Sequence, residues 1–262
     1  MQKIDFKIAL PNLITILGLC LGLNSLKLAF EGNFEKSITF IVLAAILDAL
    51  DGRIARLING TSKFGAELDS LTDFVNFGVC PSIIIYFWIL NNLTFYGWIG
   101  SLIFIVACCL RLARFNIDIG IKDGKNDWRI NFFSGVPAPA GAGLIMMPMI
   151  MTYSDFGNLI NEYINSKFVL ILIIFISFLM ISKIPTYAFK KIKISKSTFV
   201  LLALSFVLFF GLLYNKMLET LTFAGFIYLL SIPVSFVHFL NLKKTKDKSF
   251  KKGNSLISDE II

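Results

Sequence analysis

Apolar residues along this chain gather into eight blocks, at roughly residues 10–30, 38–58, 68–90, 96–115, 136–152, 168–184, 198–214 and 220–240. A membrane-spanning helix needs about 20 apolar residues, within a range of about 17 to 25, so the fifth and sixth blocks are marginal. In lipid, a segment of this length satisfies its own backbone polar groups only as a helix. The pattern predicts an all-α fold, a polytopic membrane bundle of about eight transmembrane helices. Asn59-Gly60-Thr61-Ser62 is a turn signal that makes the second and third helices antiparallel neighbours. Pro11 suits the first turn of the first helix. Residues 1–10 alternate charged and apolar side chains, which predicts a short helix lying in the membrane interface.

Composition agrees with this pattern. Of the 262 residues, 56% are hydrophobic and only 16% charged, where a soluble domain carries about a quarter charged residues. No long polar linker divides the blocks, which predicts one integrated helical domain. The 25 Lys and Arg set its orientation. With eight spans and a cytoplasmic N-terminus, all of them except Lys27, Lys36, Lys167 and Lys216 fall on the cytoplasmic side. Both termini then lie inside. This bias accounts for the net charge of +8 without a nucleic-acid partner. Residues 241–262 form a polybasic cytoplasmic tail, suited to anionic lipid headgroups or to a stop-transfer flank. Cys20, Cys80, Cys108 and Cys109 fall in apolar blocks without metal-site spacing, which points to packing.

Four acids interrupt the apolar pattern: Asp48, Asp51, Asp69 and Asp73. A carboxylate at bilayer depth is costly and marks function. At about 100° per residue, Asp48, Asp51, Gly52 and Ala55 share one helix face, with Arg56 at its edge. Gly65, Asp69, Asp73 and Asn76 share a face on the next helix. Four clustered anions repel in a low dielectric and call for positive charge. Oxygen ligands without His or Cys favour Mg²⁺ or Mn²⁺, and two such ions balance four carboxylates. Gly52, Gly65 and Ala55 leave room for a bulky ligand on the backbone. Arg56 offers a fork suited to phosphate.

The run Asp48-x-x-Asp51-Gly52-x-x-Ala55-Arg56, eight residues, Gly65, three residues, Asp69, three residues, Asp73 resembles the signature of the CDP-alcohol phosphatidyltransferases at every fixed position and gap. The resemblance implies a six-helix core over residues 11–184, with an additional helix pair at residues 198–240. It also implies transfer of a phosphatidyl group from CDP-diacylglycerol to an alcohol, with release of CMP. In that reading the four aspartates hold two divalent ions, and Asp73 is also the general base. Gly52, Ala55, Arg56 and Gly65 would bind CDP-diacylglycerol, and Asn12 and Thr15 match polar positions that approach the nucleotide. Family members are often homodimers.

Within the family the chain most resembles the membrane-bound branch whose acceptor is L-serine. Phe77-Gly78-Val79 with Pro81, Arg111-Leu112-Ala113-Arg114-Phe115-Asn116 and Gly135-Val136-Pro137-Ala138-Pro139 carry that likeness. A serine carboxylate suits an Arg fork, and Arg111 and Arg114 stand three apart at the inner end of the fourth span. Asn76 shares the Asp73 face and suits the serine amine or hydroxyl. The rival acceptors are glycerol 3-phosphate and inositol. From another class, a divalent-cation transporter would use the acids as a binding ring. His238 is the only histidine, and no Lys follows two residues on. The H-x-K mechanism of soluble serine-lipid enzymes therefore has no residues here.

Overall fold

The computed structural model describes residues 6–121, 132–187 and 196–259. All eight apolar blocks are helical. The first is α1 (Phe6–Phe30) and the second α2 (Phe34–Leu57). The third is a composite of α3 (Lys63–Asp73), a π-helical segment (Phe74–Val79) and α4 (Cys80–Trp88). A short 3₁₀ turn (Leu90–Leu93) leads to α5 (Phe95–Ile121). Then come α6 (Ala138–Tyr153), the single turn α7 (Gly157–Ile160), α8 (Ser166–Ile181), α9 (Lys196–Asn215) and α10 (Met217–Asp259). Among the described residues, Phe6–Phe30, Lys63–Trp88, Phe95–Ile117 and Met217–Leu240 are long and apolar enough to cross a membrane. Ala138–Tyr153 and Ser166–Ile181 are shorter apolar helices, as the marginal fifth and sixth blocks predict. The acids and arginines at the end of α2 lower its hydropathy without shortening it.

Two local expectations differ from the structure. The first helix, described from Phe6, runs through Pro11, which sits inside it. Proline is tolerated there because only the bond to the Lys7 carbonyl is lost, and membrane helices re-satisfy such groups locally. Residues 1–5 of the predicted interfacial helix lie outside the described residues. The second difference concerns α2 and α3. Both pack on α1, and their contact with each other is slight. The reason lies on α1, where Pro11, Thr15, Gly18, Gly22, Ser25 and Ala29 form a buried stripe of mostly small residues at alternating steps of four and three. Small side chains let helix backbones approach closely in lipid, so α1 takes the place that the turn alone assigns to α3. Ser37 on α2 donates to the Ser25 carbonyl at 2.8 Å across this seam.

The core lies between α4, α5, α6 and α8, around Ile84, Ile85, Phe104, Cys108, Ile145, Met149, Ile173 and Ile176. Ser82 on α4 donates to the Ser101 carbonyl of α5 at 2.8 Å, a polar tie inside it. A two-stranded antiparallel ribbon, β1 (Phe132–Ser134) with β2 (Pro185–Tyr187), joins the ends of this core and had no periodic signal in the sequence. Gly135 follows β1 with φ +79°, and a Cβ there would stand 2.6 Å from the Met180 carbonyl and 2.8 Å from that of Ser182. Only glycine fits such a left-handed, close approach. Helix α10 packs on α6 and β2, and its Ser235 donates to the Pro185 carbonyl at 2.9 Å. At the opposite end, Lys216 meets Asp155 at 2.5 Å. That bond and the lysine charge hold the Asp155 carboxyl below its ordinary pKa.

Candidate active site

Three helix ends converge where the acids lie: the first turns of α1, the last turns of α2 and all of α3. Ser62 caps α3, its hydroxyl accepting from the Gly65 amide at 3.0 Å. Carboxylate oxygens of Asp48, Asp51 and Asp69 lie within 4.8 Å of one another. Asp73, one turn beyond Asp69 on α3, lies within charge range of Asp48 and Asp69. Thr15 on α1 donates to Asp51 Oδ2 at 2.5 Å and to the Pro11 carbonyl at 3.1 Å. Asp51 is only 3% exposed. Oδ1 of Asp48 and Oδ1 of Asp73 are buried without a hydrogen-bond partner. Buried carboxylate oxygens are normally paired, so two orphans in one cluster point to a ligand.

A cavity of about 220 Å³ opens beside this cluster. Asn12, Thr15, Asp51, Gly52, Ala55, Arg56, Gly65 and Asp69 all line it, with Pro11, Gly60, Thr61, Ser62 and Ala66. Nothing stands within 4 Å of where a Cβ on Gly52 would lie, so its missing side chain is open space. At Gly65 a Cβ would lie 2.8 Å from Asn12 Oδ1, so that glycine admits the Asn12 side chain instead. Gly60 backs onto α1, where a Cβ would stand 1.9 Å from the Lys7 carbonyl oxygen. This is the oxygen to which Pro11 has no N–H to donate.

The remaining candidates divide. Arg111 is 7% exposed and lies within charge range of Asp73, with its guanidinium carbon 5.9 Å from the Phe115 ring centroid. Arg114 instead spends its guanidinium on the last turn of α8, donating to the Ile181 carbonyl at 2.7 Å and to those of Met180 and Ser182 at 3.3 Å. The helical face drawn through Asp69, Asp73 and Asn76 assumes α geometry, but the chain turns π-helical at Phe74. Asn76 is fully buried there and reaches α1, where a Cβ on Gly22 would stand 2.0 Å from its Oδ1. Neither atom of the Asn76 amide head has a partner. One buried polar group outside the acid cluster, the unpartnered Tyr228 hydroxyl, escaped sequence reasoning. Tyr228 on α10 is a single Tyr in an apolar span, which carries no signal.

A family model described as CDP-alcohol phosphatidyltransferase matches residues 8–171. Several curated relatives carry the name CDP-diacylglycerol–serine O-phosphatidyltransferase. The Helicobacter pylori (strain ATCC 700392 / 26695) protein is 36% identical over 220 residues, covering 84% of this chain and 87% of the relative. The Bacillus subtilis (strain 168) protein is 33% identical over 182 residues, 70% of this chain and 92% of the relative. The Mycobacterium leprae (strain TN) protein is 40% identical over 178 residues, 67% of this chain but 57% of that longer relative. The matched region contains the acid cluster and every residue singled out above as lining the cavity, and this chain belongs to the CDP-alcohol phosphatidyltransferase family.

Proposed function

We infer that this protein transfers the phosphatidyl group of CDP-diacylglycerol to the hydroxyl of L-serine, giving phosphatidylserine and CMP. The observation that carries the reading is the gathering of Asp48, Asp51 and Asp69 beside a cavity lined by Gly52, Ala55, Arg56 and Gly65. A cation transporter would need the acids, but not a ligand-sized cavity of small residues with an arginine at its wall. The name shared by the relatives supports serine over glycerol 3-phosphate or inositol.

Three converging carboxylates with no His or Cys in the group, Asp73 one turn further along α3, and orphan oxygens on Asp48 and Asp73 fit two hard divalent cations, Mg²⁺ or Mn²⁺. When bound, such ions neutralise a diphosphate and stabilise attacking and leaving oxygens. The chain's own residues do the rest. Asn12, Gly52, Ala55 and Gly65 receive the nucleotide, and Arg56 takes a diphosphate oxygen. Thr15 fixes the Asp51 carboxylate through its hydroxyl. Asp73 accepts the serine hydroxyl proton as the serine oxygen forms its bond to phosphorus and the bond to CMP breaks. Arg111, buried near Asp73, takes the serine carboxylate. Asn76 offers its unpaired amide to the amine or hydroxyl. Arg114 braces the end of α8. The positive-inside bias puts the site and both termini on the cytoplasmic side, where water-soluble serine and CMP exchange while the acyl chains stay in lipid.

The test is incubation of purified protein with CDP-diacylglycerol and Mg²⁺ or Mn²⁺, separately with serine, glycerol 3-phosphate and inositol. Phosphatidylserine and an equal amount of CMP are expected with serine alone. Preferential use of another alcohol would overturn the acceptor and leave the acid cluster's role intact.

A further inference from the structure

A second cavity, of about 340 Å³, lies away from the acid cluster. Helices α8 and α10 both pack on α6 but not closely on each other, which leaves a wedge over α6. Leu144, Met147 and Met151 of α6 form its floor, at steps of three and four that keep them on one helix face. Phe168, Leu172 and Ile176 of α8, at steps of four, form one wall. Phe226 and Leu229 of α10 form the other. The runs on α6 and α8 are about 10–12 Å long. Gly225 seats α10 beside this space, where a Cβ would stand 3.1 Å from Met147 Sδ. Ser166, at the start of α8, donates to the Ile89 carbonyl just past the end of α4 at 3.1 Å. Asp73 lies about 24 Å back along that composite helix, at 1.5 Å per residue. The cavity therefore belongs to the half of the bundle away from the acids.

An apolar cavity offers water no hydrogen bonds and favours hydrocarbon. This one has the volume of a ligand pocket and the shape of a slot. Phe168 and Phe226, on its two walls, are 49% and 45% exposed, so it opens sideways toward the lipid around the bundle. At one end the chemistry changes. Tyr163 is the one lining residue with a hydroxyl or a charge, and it is exposed. Lys167 stands beside Phe168 in the first turn of α8, exposed and without an ion pair among the described residues. Tyrosine and lysine at a helix end mark the membrane interface. An apolar slot that ends at a hydroxyl and an ammonium matches an amphiphile whose chain leads to an anionic head.

We propose that this cavity binds one acyl chain of an anionic membrane phospholipid, with the phosphate at Tyr163 and Lys167. This lipid is separate from the phosphatidyl donor and sits at the opposite membrane face. The proposal goes beyond the reaction and needs neither the acid cluster nor the choice of serine. The bound chain fills the wedge between α8 and α10, and so ties α10 to α6 and α8 of the bundle core.

The experiment is native mass spectrometry of the full chain released from detergent micelles in Mg²⁺. The protein is titrated with phosphatidylglycerol, or with diacylglycerol carrying the same acyl chains. Wild type is expected to take one phosphatidylglycerol, and CDP-diacylglycerol is expected to add to that complex without displacing it. Leu172→Trp fills the slot and is expected to lose the bound phosphatidylglycerol. Lys167→Gln, a surface change that leaves the packing alone, is expected to weaken phosphatidylglycerol about fivefold and to leave diacylglycerol unchanged. Both variants keep turnover within about twofold, since neither residue touches the acid cluster. Undiminished phosphatidylglycerol binding in Leu172→Trp overturns the cavity as the site. Equal binding of the two lipids, unaltered in Lys167→Gln, overturns the anionic head. Displacement by CDP-diacylglycerol assigns the lipid to the substrate site and overturns the proposal. A dimer that takes up no lipid also overturns it, because a second copy then covers this face.

Discussion

Asp73 and Asp48 each bury an oxygen with no partner, while Asp51 is held by Thr15. That asymmetry separates a clamped acid from acids left free to take a ligand or a proton. If Asp73 is the base, Asp73→Asn keeps the shape and removes the basicity. Its kcat is expected to fall at least about 10²-fold, with the KM for CDP-diacylglycerol changed far less. Steady-state rates in detergent micelles check this, and a variant keeping more than about a tenth of the wild-type rate would move the base elsewhere. At this scale the aspartates were legible because fixed gaps between acids at bilayer depth have few other causes. Arg111 and Arg114 were not separable in sequence. Both are arginines at an inner helix end, and only packing shows that one caps α8 carbonyls while the other is buried toward Asp73.

The glycines show what spacing hides at the scale of elements. Gly60 and Gly65 both line the cavity, yet they do different things. A Cβ at Gly60 meets backbone, the Lys7 carbonyl at 1.9 Å, and neither helix end can yield cheaply. Gly60→Ala is expected to cost about 1–3 kcal/mol of stability through overpacking between α1 and the α2–α3 turn. A Cβ at Gly65 meets the far end of the Asn12 side chain at 2.8 Å, which can swing away into the cavity. Gly65→Ala is expected to keep the melting temperature and raise the KM for CDP-diacylglycerol. Thermal melts paired with substrate titration distinguish the two, and the reverse pattern would refute this division. The motif records Gly65 but not Gly60, whose role appears only when α1 is packed. The same packing explains the splayed α2 and α3. The turn at residues 59–62 predicts a hairpin, but the small-residue stripe of α1 binds both helices more closely than they bind each other. The π-helical segment after Asp73 also left no periodic trace, so a face drawn at 100° per residue placed Asn76 without its contact to Gly22.

Across the whole molecule, hydropathy located the eight apolar helical segments, because long apolar blocks have one solution in lipid, but not the single turn α7. It did not locate the ribbon or the docking of α10, since three-residue strands and single tyrosines have no period. The arrangement that results brings three carboxylates from two splayed helices within 4.8 Å of one another, with Asp73 one turn beyond Asp69, and this has a consequence for stability as well as turnover. Crowded anions in a poorly screened site oppose folding unless cations bind between them. A ligand that binds only the folded state stabilises it by about 2.7 kcal/mol at a hundred times its Kd. For a chain of this size that is a rise of several degrees in Tm. Mg²⁺ or Mn²⁺ is therefore expected to raise the Tm over an EDTA control at matched ionic strength, in the absence of any substrate. Asp48→Asn with Asp69→Asn removes two of the converging ligands. The double variant is expected to lose the divalent shift. In EDTA it should melt no lower than wild type, because the repulsion it lacks is the same repulsion the ions would have relieved. A full divalent shift in the double variant, or none in wild type, would show that these acids do not form the ion site.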